Sequence, residues 1–110
     1  MDWIAFSSKD QLEEIKNRDG YSVIFKHSTR CPISSMAKRR FEMDADSIPS
    51  DIPLYFLDLI QYRDISNQIA EDFKVVHQSP QVLLIKKGDC VLEASHGDIS
   101  AEEVAGEIKE

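Results

Sequence analysis

The centre of Tyr21-Ser-Val-Ile-Phe-Lys26 and the run Pro53-Leu-Tyr-Phe-Leu-Asp-Leu-Ile60 are apolar with almost no alternation. A strand with one face in water alternates apolar and polar residues, whereas a short unbroken apolar run suits a strand covered on both faces. Two such strands in a chain of 110 residues call for a sheet held between layers of helix. The intervening segments supply the helices. Ser7 or Ser8 caps one that runs to about Arg18, with Leu12 and Ile15 inward, Asp10 or Gln11 completing a capping box, and Asp19-Gly20 ending it. A second begins at Pro32, whose missing N–H is no loss at a first helical position. There Ile33, Met36, Ala37 and Phe41 share a face, while Lys38, Arg39 and Glu42 point largely elsewhere. A third follows Ile60, with Ile65, Ile69 and Phe73 inward and Asp64 as its expected N-cap.

Trp3 to Phe6 reads as a short strand ahead of the first helix. Past Pro80 the pattern returns to strand: Gln81 to Lys86, a turn through Lys87-Gly88-Asp89, and a paired strand from Cys90 to Ser95. Ser100 and Glu103 form a capping box, flanked by an Ile99–Val104 hydrophobic staple, and Ile108 continues the apolar stripe. The order β-α-β-α-β-α-β-β-α joins parallel crossovers to a closing antiparallel hairpin. The expected fold is α/β, a mixed central sheet flanked by helices, in one domain over residues 1–110.

A formal charge of -7 argues against partners made of phosphate or anionic lipid, so neither nucleic acid nor membrane is expected. The start of the chain carries no basic lead and no cleavable apolar run, and no stretch reaches the roughly 18 to 20 apolar residues of a membrane helix. A cytoplasmic setting follows, in which Cys31 and Cys90 are reduced thiols and not a structural bridge.

Ser28-Thr29-Arg30-Cys31-Pro32-Ile33-Ser34 lies where a central strand ends and a helix begins, the usual place for chemistry in an α/β sheet. Unpaired N–H groups and a partial positive charge at a helix start favour a thiolate over a thiol, making Cys31 a candidate nucleophile. Arg30 is an adjacent cation, and His27 is a second when protonated. Ser34, three residues on, comes round to the side of Cys31, within hydrogen-bonding reach of its sulfur, but has no thiol to form a disulfide. A Cys-x-x-Ser site stops at a mixed disulfide and waits for an external thiol.

The strand, Cys31-Pro32-Ile33-Ser34 opening a helix, and Ser79-Pro80 before a hairpin and final helix resemble a thioredoxin-like fold. More narrowly, "FKHSTRCPIS" with "VVHQSPQVLLIKKG" resembles the monothiol bacilliredoxins of the bacillithiol system, over nearly the whole chain. The family motif is Thr-Cys-Pro-Ile-Ser; here Arg30 directly precedes the cysteine and Thr29 stands one step earlier. The resemblance implies that Cys31 attacks a protein–bacillithiol mixed disulfide and takes the bacillithiol onto itself. Ser34 then stands where dithiol relatives keep a resolving cysteine. It further implies that Pro80 is a cis-proline beside the thiol and that Ser79 offers backbone groups to an extended substrate. Independently of the resemblance, His27 at the strand end is a candidate substrate-binding residue, and His77 reads as a loop residue near the substrate groove. Bacillithiolated proteins and a low-molecular-weight thiol are the implied partners, with bacillithiol as co-substrate and no other cofactor. Phe25 occupies the place of the buried aspartate of thioredoxins, a base that a site without a resolving cysteine does not need.

Cys90 opens the second hairpin strand, on a face expected to be shared with Leu92 and Ala94, and about five strand residues, ~16 Å, from the Pro80 neighbourhood. It is expected to be structural. His27, His77 and Cys31 match no zinc spacing, so no metal is expected, and His96 reads as a solvent-facing turn residue. Lys38-Arg39-Arg40 reads as a solvated face with a weak anion-steering role. Two alternatives stand beside the oxidoreductase: an iron–sulfur carrier of the monothiol-glutaredoxin type, and a thioredoxin-like binding module whose cysteine is idle.

Overall fold

The computed structural model describes residues 2–109. Its strands are β1 (Trp3–Ala5), β2 (Tyr21–His27), β3 (Leu54–Asp58), β4 (Gln81–Lys86) and β5 (Asp89–Ser95), and its helices α1 (Lys9–Asn17), α2 (Pro32–Met43), α3 (Arg63–Asp72) and α4 (Ala101–Glu107). They form one five-stranded sheet in the order β1-β3-β2-β4-β5. β1 and β2 run parallel to β3, while β4 is antiparallel to β2 and β5 antiparallel to β4. The unbroken apolar strand β2 is central and buried along its whole length.

Alternate β2 residues feed two cores. Val23 and Phe25, with Val82 and Leu84 of β4, pack against Ala37 and Phe41 of α2 and Ala101 and Val104 of α4. Ile24, with Leu83 and Ile85, packs against Leu12 and Ile15 of α1 and Ile65 and Ile69 of α3. Complete burial of a side chain such as Phe25 contributes roughly 2–3 kcal/mol, so this pairing of faces fixes the helices in two layers. Among the described residues no helix is long and apolar enough to cross a membrane.

Local signals set several boundaries. Ser8 caps α1 and forms a full capping box with Gln11, and the Ser100 hydroxyl accepts the Glu103 N–H at the start of α4. The start of α3 differs from expectation: Tyr62 is the N-cap and Asp64 lies in the first turn. A turn in which the Tyr62 N–H donates to the Asp58 carbonyl, at 3.0 Å, starts the helix early, and Asp64 complements the helix dipole without capping it. β1 stops at Ala5 and β3 at Asp58, while Asp89 joins β5, leaving Lys87-Gly88 as the hairpin turn.

Two side-chain faces also depart from expectation. In α2 the inward residues are Ser34, Ala37 and Phe41, while Ile33 and Met36 are 63% and 68% exposed. The helix is phased by Ser34, whose buried hydroxyl is bonded to the end of β2, and this turns Ile33 and Met36 outward. In β5 a bulge separates Cys90, which pairs with Ile85, from Leu92, which pairs with Leu84. The extra residue puts Cys90 in the α1/α3 core and Leu92 and Ala94 in the α2/α4 core, so the three do not share a face.

Candidate active site

Because β2 runs to His27, Ser28-Thr29-Arg30 form a tight turn, closed by the Cys31 N–H donating to the Ser28 carbonyl at 3.1 Å. Cys31 is then the N-cap of α2, in extended backbone geometry and followed by Pro32 in the first turn. Its side chain makes no capping hydrogen bond and the residue is half-buried, leaving the sulfur uncommitted at a helix start. Thr29 and Arg30 are exposed, and Arg30 forms no side-chain hydrogen bond or ion pair among the described residues.

Ser34 faces inward, although its expected partner was the sulfur. The fully buried hydroxyl accepts the Ser28 N–H at 3.0 Å and lies 2.7 Å from His27 Nδ1. Donation from Ser34 to Nδ1 uses the remaining hydroxyl proton and puts the imidazole proton on Nε2. His27 is 5% exposed, and burial, reinforced by the nearby Lys38 ammonium, lowers its pKa against the weaker opposing pull of Asp58. It is therefore a neutral clasp between strand and helix, and not the second cation expected beside Cys31.

Pro80 reaches the same place from the other side of β2. Lys26 pairs with Gln81 in the antiparallel register, so Pro80, the residue immediately before β4, lies across from the end of β2 that leads to Cys31. The Ser79–Pro80 peptide is cis, Pro80 is buried, and the Ser79 hydroxyl is buried without a hydrogen-bond partner among the described residues. His27 and His77 occupy different faces of β2: His27 bonds Ser34 in α2, and His77 turns its Nδ1 toward Lys26 and α3.

Lys26 is the residue sequence reasoning missed. It is 0% exposed in the centre of the sheet, and its ammonium donates to the Ser66 carbonyl at 3.2 Å and approaches His77 Nδ1 at 3.3 Å, with no carboxylate among its partners. Burial lowers its pKa to about 8. Burial, then Lys26 and Arg63, likewise lowers that of His77. Gln81, also fully buried, accepts the Gln78 N–H and donates to the Val76 carbonyl and to Glu93. Together Lys26 and Gln81 hold the segment from Val76 to Pro80 from within. The available signal was a lysine in a strand otherwise read as buried on both faces.

Cys90 lies at the far end of the sheet. It pairs with Ile85, which in turn pairs with Ser22 at the start of β2. Its thiol donates to the Leu92 carbonyl at 3.3 Å within the bulge, and burial raises its pKa to about 11. Such a thiol stays protonated and poorly nucleophilic at neutral pH.

A cysteine at the N-cap of a helix, at the carboxyl end of a central parallel strand and opposite a cis-proline at the head of an antiparallel hairpin, defines the thioredoxin class, and the protein is a thiol oxidoreductase of that fold. Residues 4–104 match the family described as Monothiol bacilliredoxin BrxC, and the chain belongs to that family. Among solved structures it is similar to one provisionally described as an oxidoreductase with a thioredoxin fold, at 36% identity and a TM-score of 0.82, covering 94% of this chain and 91% of that one. A thioredoxin variant from Halobacterium salinarum shares the fold at 14% identity and a TM-score of 0.72, covering 97% and 88% of the two chains. A thioredoxin from Nicotiana alata does so at 21% identity and 0.71, covering 94% and 87%.

Proposed function

We propose that the protein removes bacillithiol from protein mixed disulfides through Cys31, in a reducing compartment such as the cytoplasm. The observation that carries this reading is Ser34: the position that would hold a resolving thiol holds a hydroxyl tied to His27 and Ser28. Family membership supports bacillithiol as the thiol removed.

In the first step the Cys31 thiolate attacks the bacillithiol sulfur of the substrate disulfide. A Cys31–bacillithiol disulfide forms, the protein–bacillithiol disulfide breaks, and the substrate cysteine leaves as a thiolate that takes a proton from water. No thiol inside the site completes the cycle. A second bacillithiol thiolate attacks the adduct, releasing oxidised bacillithiol and restoring Cys31 as thiolate. Thr29, Arg30, Pro32 and Ile33 frame the nucleophile, while Ser79 and Pro80 line the side where an extended substrate segment docks.

The test is intact-mass spectrometry of a bacillithiol-modified reporter protein incubated with equimolar enzyme. Wild type and Cys90→Ser move the bacillithiol mass onto the enzyme, and Cys31→Ser leaves it on the reporter. Transfer by Cys31→Ser, or none by wild type, overturns the reading.

A further inference from the structure

One turn beyond Cys31, α2 forms a wall of a cleft of about 330 Å³. Ser35, Lys38, Arg39 and Glu42 line it from the helix, His27 from β2, Trp3 from the edge strand β1 and Phe56 from the neighbouring β3. Ser35 stands one helical turn from Cys31, its N–H donating to the Cys31 carbonyl at 3.1 Å. At a helical rise of 1.5 Å per residue, Lys38 and Arg39 lie about 10 to 12 Å along the axis from Cys31. That is the span of a small thiol attached to the sulfur and not of a folded protein.

The walls have a consistent chemistry. Trp3 and Phe56 are packed together with ring centroids 5.9 Å apart and present an aromatic surface. The Lys38 ammonium lies 5.2 Å from the Phe56 ring centroid and is fixed by Glu42 at 2.9 Å. Glu42 also accepts the Trp3 indole N–H at 2.7 Å; burial raises its pKa, but these two donors outweigh that and keep it ionised. Its charge is thus offset by Lys38, whereas Arg39 is exposed and has no ion-pair partner among the described residues. His27, more than nine-tenths buried with Nδ1 engaged by Ser34, has no side-chain partner for Nε2 among the described residues. The cleft therefore carries net positive charge in a chain of formal charge -7.

We infer that this cleft receives the carboxylate-bearing portion of the low-molecular-weight thiol while its sulfur is bonded to Cys31, with Arg39 and Lys38 as anion contacts and the Trp3 and Phe56 rings as the apolar wall. The inference rests on the bacillithiol reading above and assigns the residues that select this thiol over an uncharged one. Selection acts on binding, so it is expressed in KM.

The experiment compares reduction of one reporter protein carrying either bacillithiol or the uncharged 2-mercaptoethanol in disulfide linkage. In Lys38→Ala/Arg39→Ala the ratio of kcat/KM for the bacillithiol substrate over the 2-mercaptoethanol substrate falls about tenfold, mainly through KM, as expected for two partly exposed carboxylate contacts. Arg39→Ala, altering only an exposed side chain, shows a smaller fall of the same sign and keeps the test available if the double variant folds poorly. Lys9→Ala, which removes a cation from the exposed face of α1, controls for overall charge and leaves the ratio unchanged. A ratio unchanged in both cleft variants, with wild type active on the bacillithiol substrate, overturns this inference and leaves the proposed function standing. Wild type inactive on that substrate overturns both.

Discussion

Lys26 shows what a single side chain in the middle of a sheet sets for its surroundings. Its folded pKa is about 8 against an ordinary value of 10.5. Between those two values the unfolded chain holds a proton that the folded one has lost, so the contribution of Lys26 to stability increases as pH rises through that window. Below about pH 8 the folded protein carries the cost of a buried ammonium. From pH 7 to 10 wild type is therefore expected to gain up to ~3 kcal/mol relative to Lys26→Met, read from urea unfolding at each pH. Two curves that stay parallel across that range would show that the lysine is not buried as described. The neutral imidazole of His77 accepting from Lys26 agrees with the charged, donating form of the lysine at pH 7.

Among the elements, the hairpin has the most demanding geometry. Lys87 and Gly88 both have positive φ, at 51° and 82°, the pairing a tight two-residue turn requires. A Cβ at Gly88 would lie 3.1 Å from the Lys16 carbonyl oxygen of α1. Gly88→Ala is accordingly expected to lower stability by about 1–2 kcal/mol, from left-handed strain and this close approach together, measured by denaturant unfolding. The same hairpin marks how far local pattern reaches. Its turn, the Ser8 and Ser100 caps and the buried run in β2 are legible because each depends on residues a few positions apart. The bulge at Val91, the outward turn of Ile33 and Met36, and the start of α3 at Tyr62 depend on which partner strand or loop meets the element. So it is at the site: Cys31 at a helix start is written in Cys-Pro and the preceding strand. The Ser34–His27 clasp and the contact of Lys26 with α3 and His77 require the folded arrangement.

Across the whole molecule, the sheet keeps its two cysteines apart. Ser22, level with Ile85 and hence with Cys90, stands five residues before His27 along β2, ~16 Å at the rise of a strand. A disulfide needs α-carbons within roughly 7 Å, so joining Cys31 to Cys90 would mean dismantling the sheet. Wild-type protein treated with excess small-molecule disulfide is expected to gain one adduct, at Cys31. It should show no species lighter by two hydrogens in intact-mass spectra. An internal disulfide formed under native conditions would contradict the separation.

The inward-facing hydroxyl of Ser34 also decides how the protein keeps time. On the proposed reaction, no intramolecular step empties Cys31, so the lifetime of its adduct is set by encounters with free thiol and halves when that pool doubles. In a cell whose thiol is exhausted, each molecule becomes a single-use acceptor. The loaded fraction then works as a gauge of how much reducing capacity remains.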